Sequence, residues 1–598
     1  MKKRLIALLL CALMVLPAAL SSCRKSGEEV SGQESSAVSS AEESKPAQSA
    51  EPSSEPAEES SAEESSEEEE VSYERGTVAY SEMVYERPDF EAINAKIAEG
   101  EGLLEKSEIT EQEMYDFFDD LTNMLIDAIT QDSLLQIKQS VDTTDTDMQA
   151  ESELISEELG NCKKDYFQFA NRLLDSEKYS EKVFEEYTEA DKQDIRDAAS
   201  SMDEEYVQLQ KRLTELENKY NDADSIVVDY KGTQMTIGDI EDKYGTSEYY
   251  KAFNAATGEI YIEIVDIHKK MAQKYGAEDV VGYIYDKSYH RDYTKDDIQR
   301  MYAYVKQYIV PLFTKFYPSV SSFYYGAGDY NNVWAHEKTV KKYLESINPK
   351  MLEAFDYMKK YGLYIYGDKA EMREGAYTTI LYSYDTPIIF HKFSGGYDNL
   401  QTFIHEFGHF YEFYTYGDEA TAQLDIDEIH SQANELLFLP VYEEIFGEAA
   451  CKKITRYQLF LSMYSLIQTC VFAEFETRAF EGEYDTVEKL NALFSEIAEE
   501  YSMERRLSST IWSQVHHFFL YPHYYISYGT SIIPSLQIYA ESVKDRDNAI
   551  HIYNEVVAHS DADTPFLTVL AESGLKDPFT EETFKEIYDM LVEAFPKK

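Results

Sequence analysis

The chain has 598 residues, 43% apolar and 14% aromatic, with 113 acidic against 55 basic residues and a formal net charge of −58. That acidic balance, with no basic stripe to offset it, repels phosphate backbones and excludes nucleic acid as a partner. The length allows roughly three to four domains, the apolar content supplies a large core, and five cysteines are too few for a disulfide scaffold.

Met1 to Leu20 opens on Lys2, Lys3 and Arg4, runs through apolar residues and ends in small ones. This is the architecture of a secretory signal, too short to be a stable membrane span. Leu20-Ser21-Ser22-Cys23 resembles the bacterial lipobox. A signal peptide over 1–22 is therefore expected, with Cys23 lipidated and the protein anchored to the membrane outside the cytoplasm. Residues 23–74 read as a disordered acidic tether, because Arg24 to Glu70 is Ser, Glu, Ala and Pro without one aromatic side chain. Such a stretch cannot offset the cost of ordering and spans roughly 40 Å as a coil. Cys162, Cys451 and Cys470 remain in the body, where one disulfide at most can form and pairing of Cys451 with Cys470 stays open.

From Tyr73 onward apolar residues recur at spacings of three and four, as in Phe90, Ile93 and Ile97 or Met114, Phe117, Phe118 and Leu121, which is helical periodicity. We divide this body into an N-terminal helical region, 75–240, and a catalytic region, 241–598. Strand signals are scarce. Val227 to Tyr230 and Tyr377 to Phe393, the latter broken at Pro387, are the candidates, and Gly395-Gly396 interrupts the chain before the next helix. The fold class read from this is mainly α, an irregular helical array with one small sheet.

That next helix carries the chemistry. Leu400, Phe403, Ile404, Phe407 and Tyr411 form a core-facing stripe that Gly417 ends. His405 and His409, four apart, stack on one face and can reach one zinc ion, with Glu406 beside them to act on water. A catalytic zinc takes a third protein ligand. Asp425 to Glu435 reads as the start of a second helix with acids in its first turn. Spacing alone leaves Asp425, Asp427, Glu428, His430 and Glu435 as candidates of equal standing.

His405-Glu406-Phe407-Gly408-His409 followed by Glu428-Ile429-His430-Ser431-Gln432 resembles the zinc helix pair of the oligoendopeptidase F and thimet oligopeptidase family. The resemblance extends to Pro387 to Tyr397, to His517 through Tyr528, and to Tyr85-Glu86-Arg87-Pro88-Asp89, so it covers nearly all of the chain after the tether. It implies Glu428 as third ligand, a helical shell around a deep substrate channel with a small β-sheet beside the zinc helix, and a zinc endopeptidase acting on short unstructured peptides. The edge strand before the glycine pair is implied to hold the substrate backbone.

On that reading one zinc per chain is held by His405, His409 and Glu428, and Glu406 is the general base. His517, Tyr525 and Tyr528 donate to the oxyanion, with His516 and Tyr524 as alternatives by one residue. Tyr525 and Tyr528 can share a helical face, and Glu435 and Asp425 orient the zinc imidazoles. The alternatives are a metallo-carboxypeptidase on a similar helical fold, which needs a group to capture the substrate carboxylate, and a peptide-binding lipoprotein, which has no use for His405, Glu406, His409 and Glu428 together.

Overall fold

The computed structural model describes residues 75–595 apart from 107, 201–203, 275, 327–332, 374, 418–419, 421–422 and 561–563. The expected signal, Cys23 and the tether lie outside the described residues. Among those described, no helix is long and apolar enough to cross a membrane.

Helices dominate, as the periodicity requires, and ten that position the site are numbered here in chain order. The first three are α1 (Phe90–Leu104), α2 (Glu111–Val141) and α3 (Thr146–Leu174). Asp89 caps α1 by accepting from Ala92 N–H, and a reciprocal Thr110–Glu113 capping box opens α2. These helices bury Phe118, Tyr166, Phe167 and Phe169 in a core of their own.

Strands β1 (Val227–Tyr230) and β2 (Thr233–Thr236) form a hairpin, followed by α4 (Thr246–Lys274), α5 (Val280–Tyr289) and α6 (Pro349–Tyr361). Then come β3 (Tyr364–Gly367), β4 (Ala376–Leu381), β5 (Thr386–Lys392), α7 (Asp398–Tyr416), α8 (Leu424–Phe438), α9 (Glu448–Glu481) and α10 (Ser527–Lys544). Helices α4 to α10 share the larger core. Cys162, Cys451 and Cys470 are buried free thiols, so Cys451 and Cys470 do not pair.

The sheet content departs from the sequence reading in two ways. Among the described residues there are two small sheets, not one: β1 with β2, and a three-stranded sheet in the order β3-β5-β4. The strand directly before the glycine pair, β5, is also the central one, parallel to β3 and antiparallel to β4, so it has no free edge to offer a substrate. The free edge on the hairpin belongs to β4.

Pro387 is tolerated in a central strand by its place in the register. It faces Ile380 of β4 and comes before β3 begins pairing at Ile389, so its missing N–H removes no ladder bond. Gly395 and Gly396 then turn the chain with φ of 95° and 66°. Asn399 secures the turn, its Oδ1 accepting from Ser394 and Gly395 N–H at 2.9 and 3.0 Å. These two devices aim α7 back across the sheet.

The first described residues are fastened beside this hairpin. Gly76 N–H donates to Asp385 O at 3.1 Å, Tyr357 OH donates to Gly76 O at 2.6 Å, and Arg75 Nη2 donates to Thr415 O at 2.6 Å. A Cβ on Gly76 would lie 1.7 Å from Tyr384 O, so only glycine fits. A chain starting at Val71 should therefore melt like the full-length protein. One starting at Val78 loses three hydrogen bonds worth about 0.5 to 1.5 kcal/mol each and should melt a few degrees lower, as read by calorimetry. Equal melting of the two would show that the fastening contributes nothing.

Candidate metal centre

Helix α7 buries Leu400, Phe403, Ile404, Phe407 and Tyr411 and ends at Gly417, as its stripe requires. Its polar face meets α8 at unusually close range. A Cβ on Gly408 would lie 2.5 Å from His430 O and 2.8 Å from Ser431 Cα, so the two helices touch backbone to backbone there. Asn434 Nδ2 pins the pair by donating to Ile404 O at 2.7 Å, and its own Oδ1 accepts from Tyr343 OH at 2.6 Å.

This contact brings three ligand atoms together. One nitrogen each from His405 and His409 and an oxygen from Glu428 all lie within 4.8 Å of one another. His405 Nε2 is 3.7 Å from Glu428 Oε2, and the two imidazole centroids are 5.2 Å apart. Zinc bonds of about 2.1 Å in tetrahedral array set ligand atoms about 3.4 Å apart, so the set fits that ion with small adjustments.

The surroundings prepare each group. His405 Nδ1 donates to Glu435 Oε1 at 2.5 Å, which leaves Nε2 as the lone-pair atom facing Glu428. Glu435 is itself held by Gln401 Nε2 at 2.6 Å, and Gln401 by Tyr442 OH at 2.6 Å. Burial, then the neighbouring His405, holds the His409 pKa well below the ordinary value, so that ring is neutral. Burial raises the Glu428 carboxyl, while Ser431 Oγ donates to Glu428 Oε2 at 3.1 Å.

Glu406 is buried, 1% exposed. Burial pushes its carboxyl up to about 7, with His405 opposing the shift. Thr378 Oγ1 of β4 donates to Glu406 Oε2 at 2.8 Å, whereas Oε1 meets no hydrogen-bond partner among the described residues. An orphaned carboxylate oxygen beside two imidazoles can accept a proton near neutral pH.

The other sequence candidates separate cleanly. Asp427 and His430 turn toward Glu412. The Glu412 Oε2 to His430 Nδ1 distance is 2.9 Å, though the two are not aligned for a hydrogen bond. Burial and the Glu412 charge together hold the Asp427 carboxyl well above the usual range.

Asp425 does not orient an imidazole. Its Oδ1 accepts from Tyr293 OH at 2.8 Å and from Thr530 Oγ1, and its Oδ2 from Ser527 Oγ at 3.2 Å and Arg291 Nε at 3.4 Å. Arg291 is itself buried, stacked 4.2 Å from the Tyr289 centroid, and donates to His523 O at 2.9 Å. The first turn of α8 places Asp425 on the side facing α10, away from α7, so it knots the end of α5 to α8 and α10.

His517 stands in a ring cluster with Tyr524, Tyr525 and Tyr528 at centroid distances of 4.9, 5.4 and 6.0 Å. His516 is exposed and packs against Tyr220 instead. Tyr525 and Tyr528 do not share a helical face, because α10 begins only at Ser527 and Tyr525 lies in the turn before it. Their rings still meet, at 5.4 Å. Gln432 Nε2 donates to Ser531 Oγ at 3.1 Å, which sets the Glu428 turn of α8 beside the Tyr528 turn of α10. Burial lowers the His517 pKa to about 3, so the ring is neutral.

Sequence reasoning missed Thr378, Gln401 and Arg291, none of which carries a local signal. Gly408 carried one. A glycine inside a helix costs about 1 kcal/mol relative to alanine and implies close packing there.

Comparison with known proteins bears on the fold. Residues 80–190 match the model of the peptidase M3 N-terminal domain. The oligopeptidase PepF of Bacillus subtilis (strain 168) is 26% identical over 229 residues, 35% of this chain and 33% of that protein, so the match spans about a third of the relative's length. The structure of PZ peptidase A with an inhibitor superposes with a TM-score of 0.69 at 19% identity over 86% of this chain and 99% of that one. A structure assigned as oligoendopeptidase F gives 0.70 at 20% identity over 86% and 98%. Residues 80–190 thus match a peptidase M3 N-terminal domain, and the helical body has the fold of the PZ peptidase A and oligoendopeptidase F structures.

Proposed function

We propose that this chain is a zinc-dependent oligoendopeptidase that hydrolyses short, unstructured peptides outside the cytoplasm, held at the membrane by a lipid on Cys23. The observation that carries the catalytic part is the juxtaposition of His405, His409 and Glu428 with Oε1 of Glu406, which meets no partner among the described residues. The location rests on the signal, the lipobox-like Leu20 to Cys23 and the acidic tether.

His405, His409 and Glu428 hold the metal, and Glu435 fixes the tautomer of His405. Bound there, zinc supplies Lewis acidity, acidifying water and drawing electrons from the scissile carbonyl. Glu406 accepts the water proton at Oε1 and delivers it to the leaving nitrogen. His517, Tyr525 and Tyr528 donate to the developing oxyanion, and His517, being neutral, does so without adding a charge. The substrate runs along the free edge of β4 as an added strand.

The test uses the full chain with a peptide blocked at both ends, an unfolded casein-like chain and a stable folded domain. One zinc per chain, loss of activity on chelation, internal cleavage of the blocked peptide and survival of the folded domain are expected. Unfolding a domain costs about 5 to 15 kcal/mol, more than a few strand hydrogen bonds return. Full activity in metal-stripped protein would overturn the zinc assignment. A requirement for a free C-terminus would make the enzyme a carboxypeptidase.

A further inference from the structure

Thr378 stands between the strand edge and the base, and two of its features converge. The first is its side chain, whose hydroxyl lies 2.8 Å from Glu406 Oε2 and 3.0 Å from Glu406 O. It has one proton to share between them. It therefore tethers one oxygen of the carboxylate to β4 and leaves Oε1 as the oxygen that meets no partner among the described residues.

The second is its main chain. In an antiparallel pair, residues alternate between facing their partner with N–H and C=O and facing away. Thr378 is opposite Ile389, two places from the Ile380–Pro387 pair. Pro387 has no N–H to give, so its pair is of the outward-facing kind, and Thr378 belongs to the same set. Ile389 N–H agrees independently, since it donates at 2.9 Å to Leu363 O on the β3 side rather than to β4. The N–H and C=O of Thr378 consequently point away from the sheet, toward a side where no strand pairs among the described residues.

We infer that Thr378 is a positioning residue that ties the substrate's register to proton transfer: its main chain takes the extended peptide while its hydroxyl fixes Oε2 of Glu406, so that Oε1 is presented as the proton acceptor. This rests on the peptidase reading given above and deepens it. A substrate that slides along β4 moves relative to Thr378, and hence relative to the base. The hydroxyl prevents the carboxylate from rotating its accepting oxygen away while peptides enter and leave. Misplacing a reacting group by even an ångström is costly to rate, so the tether acts on turnover rather than on binding.

The experiment compares Thr378→Val, Thr378→Ser and the parent on an internally quenched peptide blocked at both ends, with zinc content and melting measured in parallel. Valine keeps the shape and removes the donor. It should retain one zinc and leave KM within about threefold, while kcat falls about 10 to 100-fold, the range for one hydrogen bond to a charged group. Serine restores the hydroxyl and should return kcat to within about threefold of the parent. Valine at parental kcat, or serine as slow as valine, overturns the side-chain role.

The main-chain role is read on the parent protein alone, so no variant needs to fold. Peptides N-methylated one position at a time should show one position, fixed relative to the scissile bond, where KM rises about 3 to 10-fold. No sensitive position overturns the strand seat. A zinc-loaded parent that cleaves no peptide at all overturns the peptidase reading instead, an outcome distinct from either of these.

Discussion

Replacing Glu406 with glutamine is expected to leave the metal in place and to cut turnover by about 100 to 10,000-fold, the contribution of a positioned general base. Glu406 is not one of the three grouped ligand atoms, so its exchange removes nothing that holds the ion. The amide oxygen can still accept from Thr378 Oγ1 where Oε2 does now. What disappears is the acceptor at Oε1, whose place a nitrogen carrying two protons takes. Metal analysis and turnover, measured on the same preparation, check both halves. Turnover within about tenfold of the parent would assign the base to another residue.

Gly408→Ala is expected to be nearly as damaging without touching the chemistry. The added methyl would lie 2.5 Å from His430 O, and its neighbours are main-chain atoms that cannot swing aside. Helices α7 and α8 must then part, which strains the Asn434 to Ile404 bond and carries Glu428 away from His405. Overpacking of this kind costs about 1 to 3 kcal/mol of stability, and loss of ligand geometry should weaken zinc binding by about 10 to 100-fold. Chelator competition measures the second effect and melting with and without zinc the first, since a ligand that binds only the folded state raises its apparent stability. Unchanged zinc affinity would mean that the ligand set does not depend on this contact.

The legible parts of the sequence were those written locally. Helix α7 announced itself because its apolar stripe, its histidine spacing and Gly417 all lie within a few turns. The carboxylate ligand was not written that way. Asp427 and Glu428 are adjacent in the first turns of α8, and which one meets the imidazoles depends on the face that Gly408 allows against α7. Only the family resemblance selected Glu428 beforehand. Strand β3 was invisible for a related reason. Tyr364 to Gly367 is a short run whose partner, β5, begins more than twenty residues later, and its pairing is decided in space. The assignment of Asp425 as an orienting group failed because its partner, Arg291, is 134 residues away and nothing near either residue points to the other. A turn before α10, also unforeseen, separates Tyr525 from the helix that holds Tyr528.

The knot at Asp425 carries a consequence for how the protein comes into being. Asp425 and Thr530 are 105 residues apart, and Arg291, Ser527 and Tyr293 close the same knot from both directions along the chain. As the chain emerges from its N-terminal end, His405, His409 and Glu428 appear well before the segment that supplies Ser527, Tyr528 and Thr530. Until that segment arrives, Arg291 and Asp425 lack half of their partners, and a buried pair of opposite charges tolerates that poorly. Helix α8 therefore settles late, when most of the chain has emerged. A nascent or prematurely terminated chain carries the metal-ligand motif without the framework that holds it, so a fragment ending before Ser527 is a candidate for degradation rather than a smaller enzyme.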